Sequence, residues 1–158
     1  MKVIENGVCA AIGFKAGSIH CGIRKNQTKD DLALIVSDTI CQTAAVYTKN
    51  KVKAAPILVT KKHLINGMSQ AIIVNSWNAN ACNPKEIENA ELEAQCATDY
   101  LNMDVENVLV ASTGVIGQVL PIEKIQDKVS DINLSSENNS NAAKAIMTTD
   151  TKEKTVAV

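Results

Sequence analysis

Three clusters of hydroxyl and amide side chains carry what chemistry this chain can offer. They are Asn75-Ser76-Trp77-Asn78-Ala79-Asn80-Ala81-Cys82, Ser112-Thr113-Gly114 and Thr148-Thr149-Asp150-Thr151. Each follows an apolar run. In Val110-Ala111-Ser112-Thr113-Gly114-Val115-Ile116-Gly117, a buried strand over Val108 to Ala111 meets a hydroxyl and a glycine. Backbone N–H groups and an O–H at such a place can hold a developing negative charge, as an oxyanion hole does in acyl transfer. The same pattern also marks a plain tight turn, and the motif alone does not separate the two. Amides and hydroxyls orient polar substrates but supply no strong base, so the clusters amount to half an acyl-transfer site without an evident nucleophile.

The other reactive residues point elsewhere. His20 and Cys21 are adjacent, which on a strand turns them to opposite faces. His63, in Thr60-Lys61-Lys62-His63, reads as part of a solvated helix start. The five cysteines, Cys9, Cys21, Cys41, Cys82 and Cys96, are odd in number and widely spaced, with no C-x-x-C pair. They read as reduced, small apolar residues, and neither a metal site nor a bound cofactor is expected.

The elements that must position the clusters are readable in outline. Residues 9–23, with Gly13, Gly17 and Gly22, suggest a strand or loop-strand. A strand is predicted over 32–38, with 43–48 as its antiparallel partner. Residues 52–54 read as a short extended piece before Pro56. A helix over 60–66 should stop at Asn66-Gly67. A buried strand follows over 71–75. Asn83 as N-cap and Pro84 at the first position open the clearest helix, with Glu86 and Glu88 in its first turn. Ile87, Ala90, Ala94, Ala97 and Leu101 would form its apolar face. Pro121 opens a helix carrying Ile122, Ile125 and Val129, polar residues 130–141 read as a mobile surface connection, and helix resumes near Asn141 to Met147. Residues 154–158 look like the opening of a strand, either the start of a missing remainder or an ordinary edge strand.

Composition bounds the answer. The 158 residues suit one domain, and 46% of them are apolar. Aromatics are only 3%, so the core must be built from Ala, Ile, Val and Leu, which suits packed α/β layers. A net charge of −1, from 16 basic and 17 acidic residues, attracts neither nucleic acid nor an anionic membrane. No apolar run reaches the ~20 residues of a membrane span, and the N-terminus lacks a signal-peptide core. A cytoplasmic location is the expectation.

The sequence resembles the ornithine acetyltransferase (glutamate N-acetyltransferase) family of arginine biosynthesis. Its matching segments run in order along nearly the whole chain: Gly13-Phe14-Lys15-Ala16-Gly17, His20-Cys21-Gly22-Ile23-Arg24, Asp31 to Asp38, Ala44-Ala45-Val46-Tyr47-Thr48, Lys53-Ala54-Ala55-Pro56, Val74-Asn75-Ser76, Asn78 to Cys82, Ser112 to Gly117, and Ala145 to Thr151.

The resemblance implies a fold of the α/β (α+β) kind, with mixed sheets between helices in an α-β-β-α arrangement. It implies a precursor that cuts itself before a threonine, which becomes the nucleophile at the start of a β chain. Acetyl would pass from N2-acetyl-L-ornithine to L-glutamate, with acetyl-CoA as a further donor in some members. Thr113 and Gly114 would form the oxyanion hole and Thr148 would contact substrate. Residues 1–158 would be a single domain, most of the α chain, ending before the family's Lys-Gly-x-Gly-Met segment and its Ala-Thr cleavage point. Alone the chain would then be inactive, its partner being the β chain in an α2β2 heterotetramer. Trp77 stands where the family has a small residue; it would cap an apolar neighbour, narrow substrate access, or mark an altered copy. Two other readings remain at this stage: a truncated, non-catalytic copy acting as a folded or partner-binding domain, and a related self-processing hydrolase.

Overall fold

The computed structural model describes residues 1–25 and 28–158. Its centre is one mixed sheet of four strands: β1 (Phe14–Ile19), β2 (Leu32–Gln42), β3 (Met68–Asn78) and β4 (Val108–Val115). They lie in the order β1-β2-β3-β4, with the first two pairings antiparallel and the last parallel. Four helices accompany them: α1 (Ala55–His63), α2 (Glu86–Leu101), α3 (Ile122–Lys128) and α4 (Asn139–Ala145). The expected α+β class is therefore present, helices over a mixed sheet.

Alternation along the strands assigns the two faces. Leu32 and Leu34 of β2, Ala71 and Ile73 of β3, and Val108 and Val110 of β4 pack against Val59 of α1, Ala90, Ala94 and Ala97 of α2, and Ile125 of α3. Ala33 of β2 and Ala16 of β1 face the other way, onto Ala142 and Ala145 of α4. Each fully buried Leu or Ile contributes about 1.5–3 kcal/mol, so the larger cluster carries most of the stability. The alanine seam of α2 lets it lie close on β3 and β4, and α2 supplies the crossover that parallel strands require.

Several local expectations are corrected. Residues 43–48 form no strand, and Val46 is fully exposed. Both edges of β2 are already taken, by β1 and by β3, so no ladder remains for that segment. The helix expected over 60–66 begins at Ala55, because Pro56 fits a first turn whose N–H would be unpaired anyway. Its end agrees with expectation: Gly67 takes φ +71° and donates its N–H to the Leu64 carbonyl. On α2, Ile87 is 43% exposed, and the buried seam runs through Asn89, Glu93 and Cys96 beside the alanines. Asn89 is drawn inward because its amide donates to the Leu120 carbonyl at 3.1 Å. Asn83 sits one turn before the helix rather than at its cap, accepting from Lys85 N–H at 3.1 Å.

The connection 130–141 is pinned rather than loose. Ile132 is buried, its carbonyl accepts from the Tyr100 hydroxyl at 2.7 Å, and Ser135 exchanges two backbone hydrogen bonds with Ala16, each 3.0 Å. His63 is also not solvated. It is 3% exposed at the end of α1, with Nδ1 2.7 Å from the Val108 carbonyl and Nε2 3.3 Å from Glu91. Residues 154–158 contribute a single antiparallel bridge, Ile4 to Ala157.

Candidate active site

The first two polar clusters meet at the C-terminal ends of β3 and β4. Register places Ser76 beside Thr113 and Trp77 beside Gly114. Contrary to the sequence reading, β4 does not end at Ala111; it continues to Val115, so Thr113 and Gly114 lie within the paired region. The pairing is irregular there, with a register shift at Trp77 and Asn78. Gly114 has φ +140°, and a Cβ on it would fall 2.2 Å from the Trp77 carbonyl carbon and 2.5 Å from Asn78 N. Only glycine admits that approach of the two backbones. Thr113 is half-buried, next to Gly114 in the strand.

The asparagines of the first cluster brace this end from within. Asn75 Nδ2 donates to the Asn78 carbonyl at 2.9 Å, closing the bulge. Asn78 donates to the Gln118 and Val119 carbonyls and accepts from Asn80 N–H at 2.8 Å. Asn80 in turn donates to the Glu86 carbonyl at 2.8 Å. These side chains, each less than a tenth exposed, hold the loops after β3 and β4 together. They are scaffold for the site. Asn75 Oδ1 and Ser112 Oγ, neighbours in register, are buried without partners.

The third cluster arrives through α4. Ser76 Oγ donates to the Ala145 carbonyl at 2.6 Å, which brings the segment leading to Thr148 against the strand end. Thr148 itself is half-buried. A cleft of about 490 Å³ opens nearby, lined by Lys29, Asp30, Lys144, Met147, Thr151 and Glu153 among others; neither Thr113 nor Thr148 lines it. Its paired signs of charge suit a zwitterionic or mixed polar ligand more than an apolar one.

Two residues that sequence reading gave no role are built into this end. Asp31 is fully buried, and its carboxylate accepts from the N–H groups of Cys21 (2.7 Å), Gly22 (3.2 Å) and Arg24 (2.7 Å). Its carbonyl accepts from Ser76 N–H at 2.8 Å, so one residue ties the 20–25 loop to β3. Arg24 is 5% exposed, and its guanidinium lies under the Trp77 ring, 5.0 Å from Cζ to the centroid. In sequence, Ile23-Arg24-Lys25 looks like any solvated basic pair, and nothing local marks the burial of one of them. Trp77 takes φ +77°. Among the described residues no group of three His, Cys, Asp or Glu side chains could hold a metal ion, and no helix is long and apolar enough to cross a membrane.

The arrangement offers a hydroxyl and a glycine backbone at a partly exposed strand end, with the segment that leads to Thr148 tied to the same end through Ser76. That is the equipment for orienting an acyl group and holding charge on its oxygen.

Comparison with known proteins gives a consistent answer. Residues 15–158 match the model of the ArgJ family. The chain is 43% identical, over its whole length, to the arginine biosynthesis bifunctional protein ArgJ of Caldanaerobacter subterraneus subsp. tengcongensis, and 47% identical over 98% of its length to that of Gloeobacter violaceus. It spans about two fifths of the length of these relatives, 40% and 39%. Among solved structures it resembles ArgJ from Bacillus halodurans, with a TM-score of 0.91 and 37% identity over 97% of this chain and 82% of that one. It also resembles the ornithine acetyltransferase of Mycobacterium tuberculosis, solved in complex with ornithine, with a TM-score of 0.89 and 34% identity over 96% of this chain and 84% of that one. A family match over nine tenths of the sequence, with the same fold in crystal structures, leaves one conclusion: this chain belongs to the ArgJ family.

Proposed function

We propose that residues 1–158 form most of the α-chain part of an acetyltransferase that moves acetyl from N2-acetyl-L-ornithine to L-glutamate in arginine biosynthesis. The observation that carries this reading is the Thr113–Gly114 pair. A half-buried hydroxyl stands next to a glycine whose backbone approach leaves no room for a Cβ, at a strand end braced by buried asparagines. The relatives' role in arginine biosynthesis supports it.

In this mechanism a threonine hydroxyl at the start of a β chain attacks the acetyl carbonyl, and its own α-amine takes the proton. Charge gathers on the carbonyl oxygen, where Thr113 and Gly114 donate to it. Collapse expels the ornithine amine, which leaves with the proton, and an acetyl-threonine ester remains. The glutamate amine then attacks that ester and restores the threonine. Thr148 contacts the amino-acid substrate. The precursor would process itself before the threonine and assemble as α2β2 in the cytoplasm, and acetyl-CoA would serve as an alternative acetyl donor if the completed site admits it.

The test is Thr113→Ala in the full gene product, assayed for acetyl transfer from N-acetylornithine to glutamate. Removing one oxyanion donor should lower kcat on the order of 10²–10³-fold while KM changes little. Equal turnover by variant and parent would overturn the assignment.

A further inference from the structure

Arg24 is buried yet has no acidic partner: none of the ion pairs formed among the described residues includes its guanidinium. Removing a cation from water without a counter-charge is unfavourable, so its contacts must repay it with geometry. Nη2 donates to Ser76 Oγ at 3.4 Å and to the Met147 carbonyl, the Trp77 ring covers the guanidinium face, and Nε is buried without a partner. Trp77 does this from φ +77°, a conformation that a residue with a Cβ adopts only under constraint.

These contacts join three segments distant in sequence. One is the 20–25 loop, held by Asp31. Another is the bulge of β3 beside Thr113 and Gly114. The last is Met147, the residue before Thr148. Ser76 ties the same two parts a second time, donating to the Ala145 carbonyl while accepting from Arg24. We infer that Arg24, clamped under Trp77, is a positioning residue: it fixes Thr148 relative to the Thr113–Gly114 strand end and so sets affinity for the amino-acid substrate. This rests on the acyl-transfer reading above. Arginine suits the task because a planar fork can serve two acceptors while its face stacks on an indole; lysine offers one point charge and no plane.

The experiment uses the full gene product with N-acetylornithine and glutamate. Arg24→Met should raise KM for N-acetylornithine about tenfold with kcat held within about twofold, since the lost charge-assisted hydrogen bond acts on substrate binding. Arg24→Lys should recover only part of that loss. Because Arg24 acts through Thr148, the double variant Arg24→Met with Thr148→Ala should be no worse than Thr148→Ala alone. Additive effects in that cycle, or a fall in kcat at unchanged KM, would overturn the inference. Should Arg24→Met not fold, Arg24→Lys and Trp77→Phe carry the same cycle with the same criteria. A parent protein that transfers no acetyl would instead overturn the proposed function, and the inference with it.

Discussion

Glu93 makes a prediction that depends on one buried carboxyl. It lies on the sheet-facing side of α2, is 0% exposed, and neither of its oxygens has a hydrogen-bond partner. Burial alone pushes its pKa well above the ordinary 4.5, so in the fold it keeps its proton to higher pH than in the unfolded chain. In the unfolded chain it ionises near 4.5. Between those two values the unfolded state releases a proton that the folded state keeps, so stability falls as pH rises. The stabilisation is complete below pH 4.5 and is lost toward the folded value, at about 1.4 kcal/mol per pH unit. The thiols facing Glu93 do not confuse the measurement. Burial first, and the Glu93 charge second, push Cys96 up to about 11, and burial likewise raises Cys21, so neither ionises in this range. Glu93→Gln keeps the shape and removes the titration. Urea unfolding of parent and variant from pH 5 upward should show the parent losing stability relative to the variant, with a slope of at most about 1.4 kcal/mol per unit. Parallel pH profiles would refute the reasoning.

Two further substitutions test the architecture of the strand ends. Gly114→Ala should destabilise by about 3 kcal/mol or more, because the new Cβ lies 2.2 Å from the Trp77 backbone and no rotamer change relieves it; a change in urea midpoint worth less than about 1 kcal/mol would contradict the close approach. Asp31→Asn should cost about 3 kcal/mol, since an amide turns an NH₂ toward N–H donors that a carboxylate accepts at 2.7–3.2 Å, and an unchanged midpoint would show that the buried carboxylate does not hold the 20–25 loop.

Legibility followed the range of the physical signal. The strands near 32–38, 71–75 and 108–111 and the helix after Pro84 were readable because apolar alternation and proline act within a few residues. The strand predicted over 43–48 failed for a non-local reason. Its alternation was adequate, but β1 and β3 had already filled both edges of β2. The solvated reading of His63 failed similarly, because its partners Val108 and Glu91 are 45 and 28 residues away. The polar character of the site was legible in its three clusters, whereas the division of labour within them was not: the asparagines turned out to be internal bracing, and Arg24 and Asp31 became part of the strand end through contacts 52 and 45 residues distant.

By itself, then, the sequence determined the family, the α+β class and the conjunction of a hydroxyl with a glycine after an apolar run, since these depend on residue identity and short-range order. Tertiary structure alone decided that Gly114 must pass within contact distance of Trp77, that Ser76 meets the α4 carbonyl end, and that a lone arginine is buried under an indole. Those outcomes come from strand register and the packing of α4 on the sheet, which juxtapose residues whose separation along the chain carries no trace of their proximity.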